Sequence, residues 1–446
     1  MSSLAAAPVS PIPAHSVLIL LVQLCVLLVA ARGLGSLALR CGLPRIVGEL
    51  SAGILVGPSV LGHLAPEIAT WLFPVRAEQQ HLLDAVGQIG VLLLVGLAGT
   101  HLDVGYIRTR AGTAAKVSGA GLVLPLALGV GVGLLAPVPL RPAGADPIVF
   151  ALFLGVALCV SAIPVIAKTL RELNLLHRNI GQLILTAGTI DDAVGWLLLS
   201  VVAALAVHGL TAATVFTSIG WLVAVLAVAL LIGRPLVRFA IRRARAGDES
   251  TRVTAVVVVV LLAGAAATQS VGFEAILGAF VCGVLIRSAG APAALLQPLD
   301  TTVLAVLAPI YFATAGLRMD LSALAEPRLL GISLLILATA VAGKFAGAFL
   351  GGYLSGLTRR ECVALGAGMN ARGVIEVIIA MVGLRMGVLG AEAYTALVLV
   401  AVITSVMAPP ILRWSLAAAP VTAEEENRRT GTTIDPESVG ERASND

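Results

Sequence analysis

The feature that most constrains this chain is a succession of long apolar stretches running from near the N-terminus to about residue 412. A membrane span needs roughly 20 mostly apolar residues. Thirteen stretches qualify, near 16–31, 46–62, 84–100, 117–136, 148–167, 180–207, 213–233, 253–268, 272–287, 300–317, 329–353, 361–383 and 389–412. Hydrocarbon offers the backbone no hydrogen-bond partners, so a spanning segment of this kind must be a helix. The sequence therefore predicts an all-α polytopic membrane protein of about 13 transmembrane helices.

Composition agrees. Of 446 residues, 58% are hydrophobic and 12% charged, against roughly 25% charged in soluble domains. Mean hydropathy is +1.01. A soluble enzyme with a polar coat is excluded, as are a disordered chain and a disulfide-stapled secreted fold. The net charge of +4 does not point to nucleic acid, because membrane proteins gather Lys and Arg on one face. The five cysteines form no CxxC pair, and the six histidines show no metal-ligand spacing. No GxSxG, P-loop or GxGxxG stands in a suitable context, so an enzyme is not expected and no cofactor is implied. The first 15 residues hold no Lys or Arg, and the first apolar run is read as a span, not a removable signal.

Loop charge predicts orientation. Loops after odd-numbered spans hold 18 Lys and Arg residues, and loops after even-numbered spans hold 5. The positive-inside rule places the N-terminus outside and the C-terminus in the cytoplasm. An odd span count requires the same arrangement. Residues 1–420 read as one transmembrane domain. Residues 421–446, with seven acids against three Arg, read as a disordered cytoplasmic tail. No appended nucleotide-binding regulatory domain is expected.

Ionisable groups inside spans are costly and mark function by default. Seven stand out: Glu49, Asp191, Asp192, Glu274, Lys344, Arg372 and Glu376. Asp191 and Asp192 lie in the middle of "GQLILTAGTIDDAVGWLLLS". Neighbours on a helix point about 100° apart, so both cannot face lipid harmlessly. Adjacent buried carboxylates can trade a proton for a small cation, and that exchange of occupants is the chemistry of antiport. Lys344, mid-span in "LLILATAVAGKFAGAFLGGYL", requires a carboxylate, and Asp191 is the natural partner. A salt bridge that never titrates is the competing reading for Lys344.

Two spans read as discontinuous. "CVSAIPVIAK" contains Ser161 and Pro164, and the proline interrupts the helix ladder. "GAGMNARGVIEVIIA" sets Gly366, Gly368 and Gly373 around Asn370 and Arg372. Transporters place such breaks at corresponding positions of inverted repeats, with freed helix ends facing the ion. The repeats would be spans 4–6 and 11–13. Arg372 faces Glu376 at i+4, and packing and transport roles are both open for this pair. Glu49 is near Arg45, where a structural role competes, and Glu274 begins a span.

These residues resemble the Kef-type branch of the monovalent cation:proton antiporter superfamily, which includes plant cation/proton exchangers. The likeness runs from about Gly42 to Leu412. "GLPRIVGELSAGILVGPSVLG", "VSAIPVIAKTLRELNLL", "LTAGTIDDAVGW", "GFEAILGAFVCGVLI", "APIYFATAGLRMDL" and "LTRRECVALGAGMNARGVIEVIIA" resemble family blocks in family order. The double aspartate is the most specific of them. The resemblance implies that Asp192 binds the transported Na+ or K+ and the proton. It implies that Asp191 pairs with Lys344, and that Ser161 and Asn370 lie at crossing helix breaks. It implies a core of spans 117–207 and 329–412 moving against a dimerisation part, 16–100 and 213–317, in a homodimer. One departure is "GLAGTHLDV", where members usually read closer to "FLVGLELD". His101 stands in place of a Glu.

The expected function is antiport of Na+ or K+ against H+ by alternating access, in a multi-pass protein of the bacterial plasma membrane. The alternative is a gated K+ efflux protein without obligatory proton exchange. A non-transporting scaffold or sensor is the third reading.

Overall fold

The computed structural model describes residues 12–74, 76–100, 111–137, 140–175, 177–209, 211–245, 250–290, 293–319, 321–416, 422 and 425–426. His101 lies outside the described residues, as does most of the tail. The regular elements are helical. In chain order they are α1 (Ala14–Arg40), α2 (Arg45–Val56), α3 (Leu61–Leu64), α4 (Pro66–Leu72), α5 (Ala77–Thr100), α6 (Ala111–Leu135) and α7 (Pro147–Cys159). Then come α8 (Ile163–Glu172), α9 (Asn179–His208), α10 (Ala212–Val228), α11 (Arg234–Arg245), α12 (Ser250–Ser270) and α13 (Ala275–Ser288). The last are α14 (Ala293–Thr302), α15 (Ala308–Leu317), α16 (Pro327–Tyr353), α17 (Arg359–Met369), α18 (Val374–Arg385) and α19 (Ala391–Leu416). Among the described residues there is no strand.

Among the described residues ten helical stretches are long and apolar enough to cross a membrane, three of them running through more than one element (Arg45–Leu64, Phe216–Arg245 and Leu295–Leu317), or eleven when α17 and α18, bent by 44° at their break, count as one. The expectation was thirteen. Two expected spans account for the difference. The stretch at 148–167 stops being helical at Val160–Ala162, and the stretch at 272–287 holds only the 14-residue α13. Both are apolar but too short to span unaided.

The chain divides into two compact units. The first comprises Met1–Thr100, Ala229–Ala267 and Gly278–Glu326. There α2 packs between α1 and α15 through small residues. A Cβ on Gly53 would strike the Ala313 carbonyl, and one on Gly316 the Leu50 carbonyl. A polar clamp closes one end: Gln23 donates to the Leu72 carbonyl at 2.7 Å, and Arg318 pairs with Asp84 at 2.6 Å.

The second unit comprises His101–Val228, Thr268–Leu277 and Pro327–Asp446. Its α10 packs on α9. Its centre is the layer of α6, α16 and α7. A Cβ on Gly347 would strike the Ala120 carbonyl. One on Gly351 would lie 2.5 Å from Val117 Cα, and one on Gly129 would lie 2.7 Å from Gly155 Cα. Lipid tails are as apolar as leucine, so membrane helices associate by close packing of this kind.

Candidate functional site

The site grows from two interruptions in the second unit. Helix α7 ends at Cys159 with Val160 extended, and Val160–Ala162 are non-helical before α8 begins. Helix α17 ends at Met369, and Gly373 stands at φ 148°, a conformation glycine tolerates, before α18 begins. The two breaks touch. Ala162 N–H donates to the Ala371 carbonyl at 3.1 Å, and Ser161 Oγ lies 2.8 Å from the Met369 carbonyl. Pro164 falls in the first turn of α8, where a missing N–H costs nothing. The ladder therefore breaks before the proline, not at it.

Broken helices leave carbonyls without partners, and two cations collect them. Lys344 Nζ, on α16, donates to the Cys159 carbonyl at 2.5 Å, the Gly121 carbonyl at 3.0 Å and Asp191 Oδ2 at 2.5 Å. An ammonium has three N–H bonds, so all are used. The Gly121 carbonyl is free for a local reason. Its helical partner would be the N–H four residues on, and that residue is Pro125. Arg372 Nη2 donates to the Leu158 carbonyl at 2.5 Å and the Ala340 carbonyl at 3.0 Å. Lysine and arginine thus sit at the negative end of the α7 dipole. Arg372 also pairs with Glu376 at 3.3 Å, and its own carbonyl accepts from Ser405.

The aspartates, adjacent on α9, have unlike surroundings. Asp191 is fully buried. Its Oδ1 accepts from Ser118 Oγ at 2.5 Å, and its Oδ2 lies 2.8 Å from Ser161 Oγ and 2.5 Å from Lys344. Asp192, 3% exposed, takes the N–H of Ile163, the first residue of α8, while its Oδ1 has no hydrogen-bond partner among the described residues. The Asn370 carboxamide, 1% exposed at the other break, has neither Oδ1 nor Nδ2 bonded. Buried polar atoms are nearly always paired. One acid is therefore tied to a lysine and a serine, and the other keeps an open oxygen at the crossing.

The structure brings together Asp191, Asp192, Lys344 and Ser161, and it joins Arg372 and Glu376 to the same crossing. Glu49 is 4% exposed on α2 and belongs to the first unit. Glu274 precedes α13. The sequence reading missed Ser118, whose hydroxyl gave no signal because Ser is common in membrane helices. It also missed Ser405 and the Gly121–Pro125 pairing, which the four-residue spacing does encode.

The chain matches the family model described as sodium/hydrogen exchanger, transmembrane, over residues 15–418. It is 30% identical over 402 residues to the Na(+)/H(+) antiporter NhaS4 of Synechocystis, covering 89% of this chain and 97% of that protein. It is 30% identical over 371 residues to Cation/H(+) antiporter 19 of Arabidopsis thaliana, covering 83% of this chain and 46% of that protein. The chain thus spans about half the length of the Arabidopsis relatives it matches. Its fold is similar to that of the sodium proton antiporter MjNhaP1 from Methanocaldococcus jannaschii, with a TM-score of 0.67, 16% identity, and 90% and 97% of the two chains covered.

Proposed function

The chain belongs to the sodium/hydrogen exchanger family, and from that premise we propose that it exchanges a monovalent cation, Na+ or K+, for protons across the membrane. Asp192 is alternately protonated and cation-loaded. Asp191 stays ionised as the counter-charge of Lys344. The observation that carries this reading is the unequal satisfaction of the two neighbours: Asp191 takes Ser118 and Lys344 as donors, with Ser161 Oγ 2.8 Å away, whereas Asp192 keeps Oδ1 unbonded. A carboxylate held by an ammonium and a hydroxyl is less available to a cation than an unbonded buried oxygen.

The neighbouring groups support it. The first N–H of α8 faces Asp192, Asn370 contributes an unbonded carboxamide oxygen, and Arg372 and Lys344 neutralise the end of α7. The cation needs oxygen ligands, and Asp192 Oδ1 and Asn370 Oδ1 are unbonded oxygens. The reading includes alternating access, with the unit that holds the site as the moving core. It includes a homodimer in the plasma membrane, with the N-terminus outside and the C-terminus in the cytoplasm. The names of the relatives support the cation class.

The test is proton flux in proteoliposomes holding a pH gradient, on addition of Na+, K+ or Li+. The native protein dissipates the gradient with at least one cation, and Asp192→Asn does not. Equal flux from both proteins rejects Asp192 as the shared site. Cation flux that moves no protons favours the efflux reading instead.

A further inference from the structure

Helix α9 carries both aspartates, and it starts without a cap of its own. The side chain of its N-cap residue, Arg178, does not cap it, and its first turn holds no acid. The first N–H groups of any helix need acceptors. Here the acceptor arrives from 246 residues away: Asn179 N–H donates to Glu425 Oε1 at 2.7 Å. Glu425 Oε2 accepts from Thr422 N–H at 2.9 Å and lies 3.3 Å from Arg178 Nε. Glu425 N–H in turn approaches Thr422 Oγ1 at 3.3 Å. The T-x-x-E spacing of Thr422 and Glu425 is a capping box, so one carboxylate serves the start of its own turn and the start of α9. Glu425 is 4% exposed and Arg178 8%. An acid that reads from the sequence as part of a solvated tail is thus buried against the helix that holds the ion site.

We propose that Glu425 is a positioning residue for cation–proton exchange, acting as the cap that holds α9 in register. This rests on the function proposed above. Asp192 lies 13 residues beyond Asn179, about 20 Å along a helix. Fraying or rotation of the first turn is carried along that rod to the carboxylate. An anion at a helix N-terminus is also favoured by the helix dipole, and the Arg178 contact fixes where that anion sits.

The experiment uses the full chain in three forms: native, Glu425→Ala, and Glu425→Ala with Arg178→Asp. Residue 178 has φ −70° and ψ 143°, a backbone suited to an N-cap aspartate, so the second substitution restores the cap locally. Hydrogen–deuterium exchange reads the amides of Asn179–Gln182, and proteoliposome flux reads the apparent KM for Na+ and K+. Glu425→Ala is expected to exchange those amides about fivefold faster, the effect of a typical lost cap. It is expected to raise the cation KM about threefold with maximal rate near native, and the double variant to return both. Unchanged amide exchange in Glu425→Ala overturns the clasp. Faster exchange with an unchanged KM overturns the positioning role and leaves a structural cap. If the native protein moves no protons with any cation, the antiport reading fails by itself. The amide measurement still judges the clasp, since it needs no transport.

Discussion

Lys344 and Asp191 form an ion pair with both side chains fully buried. Removing one partner of such a pair strands the other charge and costs about 3–5 kcal/mol, whereas removing both is far milder. Lys344→Gln is therefore expected to lower the unfolding temperature of the purified protein sharply, and Asp191→Asn with Lys344→Gln to recover most of the loss. A double variant as unstable as the single one contradicts the pairing. Ser118→Ala removes a hydroxyl that donates to a charged acceptor, worth about 1.5–3 kcal/mol, and is expected to destabilise without abolishing the fold. At this scale the charged members of the site were legible in the sequence, because an ion in an apolar run has no innocent explanation. Of the neutral members, Ser161 and Asn370 were legible beside the helix breaks, but Ser118 and Ser405 were not: they look like any hydroxyl of a membrane helix, and only the fold places them. Glu425 shows how pH acts on the proposed clasp. Burial pulls its carboxyl up, but the N–H groups of Thr422 and Asn179, with Arg178, outweigh that and hold it below the ordinary value. A depressed acid contributes stability that is present above its unfolded value, about 4.3, and lost as pH falls through its folded value. The amide-exchange difference between native protein and Glu425→Ala is thus expected to stay constant from about pH 5.5 to 8.5, measured as a ratio at each pH. A ratio that collapses near neutrality would mean that another group controls the contact.

The helices themselves obey two local rules, proline and glycine placement, and both reach the site. Pro125 frees the Gly121 carbonyl for Lys344, and Gly373 permits the turn that presents Asn370 and Arg372. Glycines of α16 set its distance from α6. Gly347 has no space for a Cβ, because the Ala120 backbone already occupies it, whereas Gly331 on the same helix has nothing within 4 Å. Gly347→Ala is expected to force α6 and α16 apart at a cost of about 1–3 kcal/mol and to reduce flux, because Ser118, Gly121 and Lys344 sit on these two helices. Gly331→Ala is the control, with stability and flux near native. Equal effects from the two would show that the close approach is not what matters. The span count illustrates what apolar runs conceal. A hydropathy profile sees residues 148–167 as continuous, since Val160, Ser161 and Ala162 are apolar or small. Pro164 signals a break in the local sequence, but its position at Val160–Ala162 is held by tertiary hydrogen bonds to Met369 and Ala371, some 200 residues away.

At the scale of the whole molecule, the contact between Glu425 and Arg178 is also a statement about topology. It puts the segment after α19 on the same side of the membrane as the turn that precedes α9. The sequence reading, from loop charge alone, gave those two segments one side and called it cytoplasmic. Exposed arginines on α11 and the pair Arg359 and Arg360 entering α17 belong to the same alternation. The energetic basis is the bias of short basic loops toward the cytoplasmic side during insertion. A reporter that fluoresces only in the cytoplasm, fused after Asp446, is expected to be bright, and the same reporter placed before Met1 dark. Cysteines introduced in the turn before α9 and next to Thr422 are expected to share their accessibility to a membrane-impermeant thiol reagent, both protected in right-side-out cells and both labelled in inverted vesicles. Opposite labelling of these two positions would contradict the clasp and the topology together. Shared labelling from outside would keep the clasp and reverse the orientation, so that the loop charges, and not the hydrogen bonds, would be the part misread.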